Sequence, residues 1–160
     1  MKIVAQNLRK TIGQALPHLQ CISDEEASIK PLPTKWSKKE ILGHLIDSAS
    51  NNQQKFVRMM AQPHFNFIGY AQDFWVVEQH YNQSDWQELV HFWYAYNSHI
   101  AHIIENGNPD FLQNTITIEG HGLFTLAFIM QDYEEHLKHH LKVILPEIGL
   151  ESKFQNVYSA

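Results

Sequence analysis

A single cysteine, Cys21, excludes an internal disulfide framework and any cysteine-rich zinc site. Its place near the end of the first helix is that of a small, half-buried residue. No stretch approaches the roughly 18 consecutive apolar residues of a membrane-spanning helix. The opening "MKIVAQNLRKTIGQ" has neither a long apolar core nor a small-residue cleavage site, so no signal peptide is expected. Basic charge is scarce as well: 12 Lys and Arg against 17 Asp and Glu leave a net charge of −5. With no polybasic run anywhere, nucleic acid and anionic membranes are not expected partners. The glycine signatures G-x-G-x-x-G, P-loop and G-x-S-x-G are all missing. With these absences a cytoplasmic location is expected.

A chain of 160 residues buries roughly 70% of its unfolded surface and needs no structural metal to hold a core. Residues 1–150 read as one domain and 151–160 as a loosely packed tail. Four long helices are predicted. The first covers residues 2–20, with Ile3, Leu8, Ile12, Leu16 and Leu19 at helical spacing. After a loop held open by Pro31 and Pro33, Ser37 and Glu40 form a capping box that starts the second, which Pro63 closes. The aromatic connection 64–83 is long for a compact domain, and a helical turn is expected near residues 73–80. Ser84 and Gln87 read as a second capping box opening helix three, which ends at Gly107. Residues 115–118 alternate as a short extended piece does, and helix four spans 123–145 before Pro146. The fold class is all-α, a four-helix bundle with one long crossover connection.

Histidine is what the chain has in excess, eleven in all, with three in the stretch "EEHLKHHLKVI". On a wheel of about 100° per residue, His136 lies at the edge of the apolar face of helix four and His140 about 40° inside it. His139 points away, and Glu134 and Lys138 fall on the far side. On helix two, His44 again borders the apolar stripe, which Ser48 and Asn52 interrupt with polar groups as a pocket lining does. His91, His99 and His102 of helix three lie opposite its apolar axis and read as surface residues. Two inward imidazoles at i and i+4 can chelate one ion, or each can be satisfied by a neighbouring hydrogen bond. With His44 the inward set reaches three, which on one ion leaves a position open for water or substrate. Other metal patterns are excluded: H-E-x-x-H is missing, and the lone Glu-x-x-His, Glu88 to His91, faces solvent.

The motif "WSKKEILGHLIDS" on helix two, followed by "DYEEHLKHHL" on helix four, resembles the DinB-like superfamily of DinB/YfiT-type four-helix bundles. The segment from Gly69 to Trp86 and the pair Tyr96–Asn97 carry the likeness further, so that it covers roughly residues 10–145. The resemblance implies a divalent metal, nickel or zinc, held by His44, His136 and His140. It also implies a homodimer and the activity of a metal-dependent hydrolase. Relatives in that superfamily include S-transferases and maleylpyruvate isomerases that use a low-molecular-weight thiol such as mycothiol, bacillithiol or glutathione. Such a metal would activate either a water or a thiol. No carboxylate stands in an obvious general-base position, since Asp47 and Glu135 both turn away from the histidines on the wheel. Ser48, Asn52, Asn97 and Tyr133 lie on inward faces, and Tyr70 and Trp75 are placed to line a pocket mouth. The competing readings are a non-catalytic bundle that binds metal or a ligand under stress, and an interaction module with hydrogen-bonded histidines.

Overall fold

The computed structural model describes residues 1–157. Four long helices form the bundle: α1 (Lys2–Cys21), α3 (Lys38–Ala61), α5 (Trp86–Asn106) and α6 (Leu126–Ile144). Two short ones, α2 (Asp24–Ser28) and α4 (Gln72–Glu78), lie in the connections. α1 buries Ala5, Leu8, Ile12, Ala15 and Leu19, whereas Ile3, expected in this stripe, is exposed. Cys21 is exposed too, because it sits at the last turn on the outer side.

Around the bundle the packing order is α1–α5–α3–α6. α1 and α5 run antiparallel, with Arg9 paired to Glu105 and the Trp86 indole donating to the Leu19 carbonyl. α3 and α5 run parallel, since Gln53 meets Tyr96 and Met60 lies beside Gly107. The connection between them must therefore travel back along the bundle, which is why it is long. α4 occupies its middle against α3.

The structure corrects the all-α expectation. A three-stranded sheet joins β1 (His64–Phe67), β2 (Thr115–Ile118) and β3 (Gly122–Thr125) in that order. β1 pairs parallel to β2, His64 opposite Thr115, and β2 pairs antiparallel to β3, Ile118 opposite Gly122. The turn between β2 and β3 needs left-handed backbone at Gly120 and Gly122, with φ of 80° and 98°, which glycine supplies without strain. Because residues 122–125 are strand, α6 begins at Leu126 and not at residue 123, capped by the Thr125 hydroxyl.

The capping box of α3 forms as read: Ser37 Oγ accepts from the Glu40 amide, and Glu40 Oε2 accepts from the Ser37 amide. For α5 the cap is Asp85, which accepts from the Glu88 amide, and not Ser84. Ser84 is already used, its amide closing the 3₁₀ turn Tyr81–Gln83. The tail is more firmly held than expected: Ser152 Oγ donates to the Glu135 carbonyl, and the Lys153 amide donates to the Glu135 carboxylate. Among the described residues no helix is long and apolar enough to cross a membrane.

Candidate metal centre

α3 and α6 lie side by side and run antiparallel, bringing the second turn of α3 to the C-terminal half of α6. Here His44, His136 and His140 converge, each offering a ring nitrogen within 4.8 Å of the others. Nε2 of His44 and Nε2 of His136 face each other at 3.2 Å. Two ligands at tetrahedral angles around an ion with bonds of about 2.05 Å stand about 3.3 Å apart, so this spacing suits a shared cation. Behind His136, Ser48 Oγ lies 3.4 Å from Nδ1, in place to fix the tautomer that turns Nε2 inward. Trp36 covers His44, ring centroids 5.0 Å apart. The buried Nδ1 of His44 has no hydrogen-bond partner among the described residues.

Electrostatics keep all three rings neutral. Burial pulls His44 down to about 4. Burial, then the neighbouring His44 and His139, takes His140 down to about 3. Burial, then His140 and His44, holds His136 well below the ordinary imidazole value. Neutral imidazole is the form that binds a metal. Imidazole sets without thiolate or carboxylate suit zinc, nickel, copper or iron, so the residues present fit the ion that the resemblance implies.

The same shifts set an acid limit for the metal-free protein. The unfolded chain takes up protons near pH 6.5, while the folded imidazoles resist until about 4 and about 3. Stability is therefore complete above pH 6.5 and falls as pH drops through that window, by up to about 1.4 kcal/mol per pH unit for each group. Burial raises the carboxyls of Asp47 and Glu134, which opposes this loss. Read between pH 7 and 5, above the ordinary carboxyl range, the urea midpoint of chelator-treated protein is expected to fall steadily. A flat midpoint there would contradict three neutral imidazoles, one buried and two half-buried.

A cavity of about 370 Å³ opens beside the cluster. His136 and His140 form part of its wall, and His44 stands behind them, fully buried. Of the residues expected at a pocket, Ser48, Asn52, Tyr70 and Tyr133 do line it. Asn97 does not; it is fully buried and accepts the Tyr133 hydroxyl at 2.5 Å. Trp75 packs its ring on Tyr70, centroids 4.9 Å apart, outside the lining.

Other positions differ from the wheel. Asp47 turns away from the histidines as the wheel has it, but toward protein: it is buried, accepting from Tyr81 at 2.7 Å and Gln79 at 2.8 Å, and anchors the crossover. Glu134 is buried as well, paired with Lys138 at 2.6 Å. His139 is exposed but edges the cavity, its ring 5.1 Å from that of His140. Lys55, Asp132 and Phe154 were not foreseen as lining residues. Asp132 is the one carboxylate in the wall among the described residues. Lys55 was legible, because 11 residues beyond His44 returns within about 20° of the same helix face. Phe154, which packs 5.1 Å from the His136 ring, comes from the tail and left no periodic signal.

Comparison with known proteins gives a family and a fold. The family model described as the DinB superfamily matches residues 7–144. No curated protein matches the chain. Among solved structures, YfiT from Bacillus subtilis superposes with a TM-score of 0.79 at 13% identity, covering 92% of this chain and 87% of that one. YfiT is described as a probable metal-dependent hydrolase with an unusual four-helix bundle topology. At that identity the likeness establishes a shared fold.

Proposed function

The chain belongs to the DinB superfamily, and from that premise we propose that it is a divalent-metal-dependent enzyme acting on a small molecule, with His44, His136 and His140 as ligands. The observation that carries this reading is the meeting of three neutral imidazoles, two of them in the wall of an open cavity. A closed structural site would hold a fourth protein ligand and no approach for substrate. A divalent ion there, zinc or nickel, would act as a Lewis acid and bring the pKa of a water from about 15.7 towards about 7, or acidify a thiol. The chain's own residues do the rest. Ser48 holds the His136 ring in register, Trp36 shields His44 from water, and Asn97 fixes the Tyr133 phenol in the cavity wall.

Two reaction classes use this arrangement: hydrolysis, the activity named for YfiT, and transfer to a low-molecular-weight thiol co-substrate. We place either in a cytoplasmic homodimer without nucleic-acid or membrane partners. The experiment is a paired screen on zinc- and nickel-loaded protein. One arm assays hydrolysis of small esters and amides; the other assays consumption of glutathione, mycothiol or bacillithiol with electrophilic acceptors. Metal-dependent turnover in either arm is expected. Stoichiometric metal without turnover would favour the non-catalytic binding bundle, and no metal at all would remove both readings.

A further inference from the structure

Lys55 places an ammonium in the wall of the cavity that the imidazoles border. His44, Ser48, Asn52 and Lys55 follow one another at spacings of four, four and three, so they form one polar row along α3. That row spans about 16 Å of helix at 1.5 Å per residue. Antiparallel α6 repeats the order opposite it, with His140, His136 and then Asp132. The cavity is thus bipolar, imidazoles at one end and the charged pair Lys55 and Asp132 at the other. Aromatic rings of Trp36, Phe67, Tyr70 and Phe154 contribute to the wall.

Lysine is almost never buried this far, yet Lys55 is 8% exposed. Its Nζ stands 5.0 Å over the Phe67 ring, a cation–π contact. Burial pulls its pKa to about 8, with Asp132 working to keep the proton on. A partly desolvated ammonium attracts an incoming anion more strongly than a hydrated one does. With the Asp132 carboxylate offsetting part of its charge, this single ammonium suits a monoanion better than a dianionic phosphate.

We propose that Lys55 binds a carboxylate of the small-molecule substrate at the end of the cavity remote from the three imidazoles, selecting monoanions with an apolar body. This rests on the reading of the imidazole cluster as the reactive end of the same site. The test is calorimetric titration with phenylacetate and 3-phenylpropanoate, each against its neutral amide. It is run on metal-loaded and on chelator-treated protein, with metal content measured in the same samples. Wild type is expected to prefer the acid over the amide by about tenfold or more, with or without metal. Lys55→Gln is expected to erase that preference at unchanged metal content, and Lys55→Arg to keep most of it. Three results would overturn the proposal: no acid preference in wild type, a preference that survives in Lys55→Gln, or one that disappears when the metal is removed. The last would assign carboxylate binding to the ion. Should Lys55→Gln fail to fold, wild type and Lys55→Arg still decide. A wild type devoid of metal would end the enzymatic reading alone, since the acid preference is scored independently.

Discussion

His136→Ala is expected to take bound divalent metal from about one ion per chain to about none, and metal-dependent turnover down by at least about 100-fold. His136 touches both other imidazoles: its Nε2 faces that of His44 at 3.2 Å, and its ring centroid lies 4.5 Å from that of His140. Without it two nitrogens remain, and a bidentate imidazole pair exchanges its ion readily. Loss of an outer-sphere partner alone typically weakens a metal site 10–100-fold (about 1.4–2.7 kcal/mol), so loss of a direct ligand exceeds that. Ser48→Ala is expected to give the smaller effect, because it frees the His136 ring without removing a donor. His139→Ala is the matched control, since that exposed ring adjoins the cluster without belonging to the converging set. Elemental analysis and thermal unfolding of the three variants check this. Metal retained in His136→Ala, or lost equally in His139→Ala, would dissolve the assignment.

The helices and their inward faces were open to reading because both rest on local periodicity. Leu8, Ile12, Leu19, Leu126, Ile129, Leu137 and Ile144 are all buried, at the 3.6-residue spacing that marks them. His44, His136 and His140 stood out for the same reason, as imidazoles on or at the edge of an apolar stripe. The sheet did not. Four-residue segments such as His64–Phe67 carry too little alternation, and β1 pairs with β2 only because α3 and α5 end at the same level of the bundle. Buried charge escaped as well. Asp47 and Glu134 sit at polar angles on the wheel; Asp47 is made tolerable in the interior by the crossover residues Tyr81 and Gln79, and Glu134 by Lys138 one turn on in its own helix. A wheel gives direction without saying what lies there.

Gly43→Ala is expected to destabilise the protein by about 2–4 kcal/mol, although alanine in a helix interior is ordinarily favoured over glycine by about 1 kcal/mol. A Cβ at this position would lie 2.2 Å from Cγ and Cδ2 of Tyr81. The ring cannot yield cheaply. Its hydroxyl donates to Asp47 at 2.7 Å, and the whole residue is buried where the crossover lies against α3. Moving it breaks a bond to a charged acceptor, worth about 1.5–3 kcal/mol, on top of an overpacking strain of about 1–3 kcal/mol. The cause is checked by a double-mutant cycle in urea. In a Tyr81→Ala background the clash is gone, so adding Gly43→Ala is expected to be neutral or to restore up to about 1 kcal/mol of helix propensity. Equal losses in both backgrounds would mean that Gly43 serves some need of α3 itself. A sign reversal would instead identify it as the socket for Tyr81, through which the crossover is locked to the helix that carries His44.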